Sequence, residues 1–357
     1  MAYLDANASE PLRPEARAAV IAALDVTGNP ASVHHAGRAA RRLLQDSRAA
    51  IAQRFDADID GVVFTSGGTE ANALAIHGFG QGRRVIIGAT EHDAVRAAAP
   101  GATILPVDRD GVVRLEVLEA LLREAPGLVC LMLANNETGT VQPIAEAAAL
   151  CRRAGSILHV DAVQARDRFS MREIGAHSMA LSSHKLGGPK GAGALLLADI
   201  DIPALLPGGG QERGRRGGTP ALPSIAGFAA AALAPPVDLR PFRRLIEDAA
   251  EASGAIVLGG MARLPNTVCL GLGGVRSETQ VIRLDLAGFQ VSAGSACSSG
   301  IVGRSHVLTA MGLGRMAGEA IRVSLPWSVT EAEVMAFTGA YHHMAADLRH
   351  RAAVETT

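Results

Sequence analysis

The strongest constraint on the fold is a regular alternation between residues 14 and 235, where short β-branched or aliphatic runs are separated by longer segments of helical period. That pattern builds an α/β domain on a mostly parallel sheet. Seven strands are expected: Val62-Val63-Phe64-Thr65, Arg84 to Gly88, Ala102 to Val107, Leu128 to Leu133, Ile157 to Asp161, and shorter ones near Met179 to Leu181 and Ala194 to Leu197. Gly37 to Phe55 puts Ala40, Leu43, Leu44, Ser47, Ile51 and Phe55 on one helical face, and Pro143 opens a helix that ends near Gly155. Such helices cover the sheet. Pro235-Pro236 stops the alternation, because two prolines end a helix and stiffen the chain. A smaller α+β unit follows, with helix 240–253, strands 255–258 and 267–272, and helix 277–287. A Gly/Ser-rich loop, helix 304–311, strand 320–325 and a last helix opened by Thr330 with Glu333 as a capping box complete it. The expected division is a large domain over 14–235 and a small domain over 236–357, onto which residues 1–13 fold back.

Composition narrows the function classes. Basic and acidic side chains nearly balance, 34 against 35, and only 3% of residues are aromatic. Neither a polyanion-binding surface nor a stacking platform is favoured, so direct nucleic-acid binding is not expected. The longest strongly apolar run, Leu128 to Ala134, falls far short of the roughly 20 residues of a membrane helix. Cys130, Cys151, Cys269 and Cys297 are scattered without a CxxC pair, and Met-Ala-Tyr-Leu-Asp begins a folded chain directly. Reduced thiols in a cytoplasmic protein are the expectation.

Three features at strand ends carry chemistry. Val62 to Asn72 runs strand, glycine turn and helix start, where free backbone N–H groups and Thr69 form a phosphate site; alone, this signal is weak. Gly78-Phe79-Gly80-Gln81-Gly82 follows a helix instead of a strand, so a nicotinamide cofactor is not indicated. Asp161 ends an apolar strand, where α/β sheets place their ligands, and Lys185 follows the next strand ahead of a flexible turn. Singly, Asp161 reads as a helix cap or salt bridge and Lys185 as a solvated loop lysine. Together with the phosphate turn they form, in order, the set that pyridoxal phosphate needs: a lysine for its Schiff base, a carboxylate for its ring nitrogen and a phosphate cradle. Cys130, Cys151 and Cys269 sit in apolar surroundings as small hydrophobes. Cys297, in Ser295-Ala296-Cys297-Ser298-Ser299-Gly300, is surrounded by small residues that give an exposed thiol reach, and reactive and structural readings both stand. Gly208 to Thr219, with Arg213, Arg215 and Arg216 against Glu212, reads as a mobile surface loop.

The ordered blocks Tyr3-Leu4-Asp5-Ala6-Asn7-Ala8, Gly28 to His34, Thr65 to Glu70, Glu91-His92, Asn135 to Gly139, His159-Val160-Asp161, Ser182-Ser183-His184-Lys185, Gly208 to Arg213, Ser295 to Ser299 and Ile321 to Ser324 resemble the cysteine desulfurases. These belong to the class V aminotransferase branch of fold-type I pyridoxal phosphate enzymes. The resemblance implies that Lys185 carries the cofactor, Asp161 meets its ring nitrogen, Gln164 its ring hydroxyl, and His92 stacks on the ring and exchanges protons. It gives the phosphate to Gly68, Thr69, Ser182 and His184, with Thr219 supplied by the second subunit of a homodimer, and sets Asn136 beside the cofactor. Arg322 and Asn266 would hold the substrate carboxylate, and Cys297 would be the nucleophile. Ser9-Glu10 replace the two threonines usual in the family, and Ile301-Val302-Gly303-Arg304 replaces the common Leu-Glu-Pro.

The implied reaction converts L-cysteine to L-alanine and leaves sulfur on Cys297 as a persulfide, for a sulfur-acceptor protein serving iron–sulfur assembly, tRNA thiolation or a sulfur-containing cofactor. Alternatives are another class V enzyme, such as a selenocysteine lyase or aminotransferase, and a sulfur-carrier or scaffold subunit without turnover. The scaffold reading needs a broken Lys, Asp or Cys, and Lys185, Asp161 and Cys297 are all intact.

Overall fold

The computed structural model describes residues 1–165, 169–294 and 303–354, with side chains described as far as residue 348. The alternation folds as a seven-stranded sheet in the order Val62–Thr65, Gly193–Leu197, Ser178–Ser182, Ile157–Asp161, Gly127–Met132, Arg84–Gly88, Thr103–Leu105. Gly193–Leu197 pairs antiparallel with both neighbours, and the other pairs are parallel. Successive side chains of a strand face opposite sides, and here both sides are core. Val129 and Leu131 join Phe64, Val160 and Leu181 on one face, while Leu128 and Cys130 join Ile87, Ala180 and Leu195 on the other. Helix His35–Phe55 covers the first face with Leu44, Ile51 and Phe55, and helix Gly68–Gly80 covers the second with Leu74, Ala75 and Phe79. Leu43, expected on the buried face of the first helix, is only partly covered. The strand expected over 102–107 is limited to Thr103–Leu105, because Pro106 has no N–H to extend the ladder.

Helix Leu222–Leu233 ends on an extended Ala234 ahead of Pro235. Beyond it, Ser292–Ala293, Ala320–Ser324, Thr267–Gly271 and Ile256–Leu258 form an antiparallel sheet with its own core of Val268, Leu270, Ile321, Val323, Phe337 and Tyr341. Ala2–Tyr3 pairs in parallel with Phe289–Gln290, Asp5 bridges to Ser324, and Leu4 enters the same core. The capping box forms: Thr330 Oγ1 accepts from the Glu333 N–H at 3.3 Å, and Glu333 Oε2 accepts from the Thr330 N–H at 2.8 Å. Among the described residues no helix is long and apolar enough to cross a membrane.

The segment Gly208 to Thr219, which reads as a mobile loop, is instead pinned to the large sheet and its helices. Glu212 is buried and takes both Arg48 Nη atoms at 2.8 Å, plus the Phe64 N–H at 2.8 Å. Arg216 pairs with Glu70 at 2.8 Å, Arg215 with Asp201 at 2.7 Å, and Arg213 with Asp60. Glu212 and Arg213 are held in the left-handed region at φ 49° and 57°, a conformation that costs non-glycine residues about 1–3 kcal/mol each. The buried pair fixes that shape. Removing one partner leaves a buried charge without its counterion, so Arg48→Ala should lower stability to urea by about 3–5 kcal/mol. A loss below about 1 kcal/mol, the scale of an exposed pair, would contradict this role.

Candidate functional site

The parallel strands end on one side of the sheet, and the chain segments that leave them build a single cavity of about 720 Å³. Val62–Thr65 leads to Gly67, Gly68 and Thr69, and Arg84–Gly88 to His92. Gly127–Met132 leads to Asn136, Ile157–Asp161 supplies Asp161 and then Gln164, and Ser178–Ser182 supplies Ser182, His184 and Lys185. Each of these residues lines the cavity, as does Arg322 from the smaller sheet.

At one end, helix Gly68–Gly80 presents its first turn, whose N–H groups lack intrahelical acceptors. Gly68 permits a close approach of strand ends: a Cβ there would lie 2.5 Å from Val163 Cγ2. His184 Nδ1 lies 3.3 Å from Ser9 Oγ. Burial, with help from Lys185 and Lys190, holds the His184 imidazole down at about 4, so it is neutral at neutral pH. Backbone N–H groups, Thr69 and Ser182 hydroxyls and a neutral imidazole are a donor set that fits a phosphate.

Asp161 lines the same cavity. Its Oδ1 accepts from the Val163 N–H at 3.0 Å and its Oδ2 from Asn72 Nδ2 at 2.8 Å. Burial raises its pKa, and those two hydrogen bonds, His92 and Lys185 partly offset the rise. Lys185, in a short 3₁₀ turn after its strand, donates from Nζ to the Asn7 carbonyl oxygen. The same carbonyl accepts from Gln164 Nε2 at 3.1 Å, while buried Gln164 Oε1 has no hydrogen-bond partner among the described residues. That orphan acceptor fits a hydroxyl on a bound ring. His92 caps helix Asp93–Arg96, its Nδ1 accepting from the Ala94 N–H at 3.1 Å, so a ring proton belongs on Nε2. The cap and the cavity wall are one residue.

Arg322 is 2% exposed. Its Nη2 donates to Asp5 Oδ1 at 2.5 Å and its Nη1 to the Asn136 carbonyl at 3.2 Å, while Nε has no partner among the described residues. A buried guanidinium with an unused N–H at a cavity wall suits a carboxylate. Asn266 lies elsewhere: fully buried, it donates to Asn7 Oδ1 at 3.1 Å and lines a separate cavity of about 170 Å³ that also touches Lys185. Its link to the main cavity runs through Asn7. Thr219 is exposed in a third cavity of about 110 Å³, which it shares with Ser66 and Gly191 from the rim of the first. The block Ser295 to Ser299, with Cys297, and Ile301-Val302 lie outside the described residues. The residues flanking them converge on Glu137: a Cβ on Gly294 would lie 2.3 Å from Glu137 Oε2, which accepts from Ser305 Oγ at 2.6 Å.

Asn7, Asn72 and Asp5 are site residues that sequence reasoning leaves without a role. Asn7 also donates from Nδ2 to the Asn136 carbonyl at 3.0 Å and to Thr267 Oγ1 at 2.9 Å, tying Lys185, Gln164, Asn136 and Asn266 together. The remaining thiols behave as small hydrophobes. Burial raises Cys130 well above the ordinary range, with Glu91 and Asp161 adding to the rise, and pushes Cys151 and Cys269 up to about 12.

The chain matches the family model described as aminotransferase class-V over residues 2–337. It is 42% identical over 357 aligned residues to a cysteine desulfurase of Cereibacter sphaeroides, covering 93% of this chain and 92% of that relative. A solved structure of a NifS-like protein aligns with a TM-score of 0.88 and 31% identity, covering 96% of this chain and 99% of that one. SspA in complex with cysteine aligns with a TM-score of 0.82 and 28% identity, covering 91% and 99%.

Proposed function

The chain belongs to the class V aminotransferase family, in its cysteine desulfurase and NifS-like branch of fold-type I pyridoxal phosphate enzymes, and from that premise we propose that it removes sulfur from L-cysteine. The products are L-alanine and a persulfide on Cys297. The observation that carries this reading is one cavity lined by an amine, Lys185, a buried carboxylate, Asp161, and a buried guanidinium, Arg322, with an unused N–H.

Pyridoxal phosphate, when bound, supplies an electron sink for bonds at the substrate Cα and Cβ. Lys185, Asp161, Gln164 and the first turn of helix Gly68–Gly80, with Thr69, Ser182 and His184, are the residues that would hold it. His92 and Asn136 border the same space. Arg322 binds the substrate carboxylate by charge and by its unused Nε–H, which orients the Cα proton. Lys185 Nζ takes that proton. The Cys297 thiolate attacks the substrate sulfur: its Sγ–S bond forms as the C–S bond breaks, and the electron pair of the broken bond stays with the carbon skeleton. Protonation of that skeleton gives L-alanine, so L-cysteine and one thiol yield L-alanine and one persulfide. His92 moves a proton at Nε2, the nitrogen not engaged with Ala94.

Thr219, exposed on its pinned loop, is a residue this chain offers to the cavity of a second copy in a homodimer. The reduced state of three buried thiols suits a cytoplasmic setting, and a sulfur-acceptor protein would take the persulfide onward.

The test is stoichiometry. Purified protein loaded with cofactor and given L-cysteine and a dithiol should form alanine and sulfide in equal amounts; an amino-group transfer product without sulfide would support the aminotransferase alternative. Arg322→Lys replaces a planar fork by a point charge and should raise KM for L-cysteine about tenfold or more. An unchanged KM would remove Arg322 from substrate binding.

A further inference from the structure

Asp161 does not stand alone. Behind it runs a buried chain of hydrogen bonds: Asn72 Nδ2 to Asp161 Oδ2 at 2.8 Å, His159 Nε2 to Asn72 Oδ1 at 2.8 Å, and His159 Nδ1 to Ser178 Oγ at 2.8 Å. Asn72, His159 and Ser178 are each at most 1% exposed. The fold dictates the contact. His159 and Asp161 are two residues apart on one strand and so share a face, Ser178 is the register partner of His159 on the next strand, and Asn72 reaches down from the helix that opens at Gly68.

The direction of every donor follows from the carboxylate. An ionised Asp161 only accepts, so Asn72 must turn its NH₂ toward it and its carbonyl toward His159. That carbonyl only accepts, so His159 carries its proton on Nε2. Nδ1 is then an acceptor, and the Ser178 hydroxyl donates to it. Burial drives the His159 pKa down to about 3, which keeps the ring neutral and excludes the two-donor imidazolium. Three aligned dipoles therefore point their positive ends at one carboxylate that burial would otherwise neutralise.

We infer that Asn72, His159 and Ser178 are positioning residues that keep Asp161 ionised and aimed at the ring nitrogen of the cofactor. The inference rests on the proposed role of Asp161. Because Asn72 lies in the first turns of the helix that opens the phosphate cradle, the chain also ties Asp161 to that helix.

The first measurement uses ¹⁵N-histidine NMR on the wild-type protein with pyridoxal phosphate bound. His159 should show the neutral tautomer protonated at Nε2 at pH 7; a ring protonated at Nδ1, or at both nitrogens, would overturn the inference. The second measures pyridoxal phosphate affinity and the absorbance band of the bound cofactor in Asn72→Ala and Ser178→Ala. Asn72→Ala should weaken affinity about tenfold or more and shift the band, and Ser178→Ala should do the same by less. If Asn72→Ala fails to fold, the histidine tautomer and Ser178→Ala still decide. Folded variants that keep wild-type affinity and spectrum would overturn the relay while leaving the desulfurase reading intact. A wild-type protein that binds no pyridoxal phosphate would remove that reading itself.

Discussion

Replacing Lys185 with alanine should lower turnover of L-cysteine by about a thousandfold or more, the scale expected when a group that moves a proton at the reacting carbon is deleted. The substitution removes an amine from the cavity wall and its hydrogen bond to the Asn7 carbonyl. It leaves Asp161, Gln164, Thr69 and the first turn of helix Gly68–Gly80 in place, so cofactor binding should weaken without being lost. Alanine production measures the first effect, and cofactor content after desalting measures the second. Partial rescue by added methylamine, which restores an amine to the emptied space, would separate lost chemistry from a damaged fold. Activity within about tenfold of wild type would be incompatible with Lys185 as the proton acceptor.

The second large effect concerns the thiol. Cys297→Ser should abolish sulfide release in the presence of a dithiol, because a serine hydroxyl is far less ionised and a poorer nucleophile toward sulfur than a thiolate. Cofactor absorbance should be unchanged, since Lys185, Asp161, Gln164 and Thr69 all remain in place. The other thiols provide the control. Burial pushes Cys151 and Cys269 up to about 12 and Cys130 well above its ordinary range, so none is a thiolate at neutral pH. Serine at position 151 or 269 should therefore leave sulfide release near wild type in any variant that folds. Retained sulfide release in Cys297→Ser would remove the nucleophile from the scheme.

Asp161 and Lys185 are legible in the sequence because Asp161 closes an aliphatic run and Lys185 follows the next strand, and the ends of parallel strands are where such sheets bind ligands. Val62–Thr65, Gly127–Met132 and Gly193–Leu197 are legible because strands buried on both faces are almost purely apolar runs. Asn7 and Asn72 are not legible. Each is a small polar residue whose meaning lies in partners far along the chain: Asn72 meets Asp161 89 positions away, and Asn7 receives Lys185 across 178. Asp5 meets Arg322 across 317 positions, a distance that no local pattern spans. The Gly208 to Thr219 segment misleads in the opposite sense. Its glycines and arginines have the composition of a mobile loop, but Arg48, from a helix 164 positions earlier, buries Glu212 and fixes the shape. The two-residue strands Phe289–Gln290 and Ser292–Ala293 are too short to show a period, and only their partners Ala2–Tyr3 and Ala320–Ser324 define them.

A single turnover tests the proposed chemistry most directly. Cofactor-loaded protein mixed with one equivalent of L-cysteine, without reductant, should yield close to one alanine per chain, and peptide mass spectrometry should find one added sulfur atom on the peptide containing Cys297. Alanine without added sulfur on that peptide, or added sulfur on a peptide containing Cys130, Cys151 or Cys269, would contradict the persulfide at Cys297.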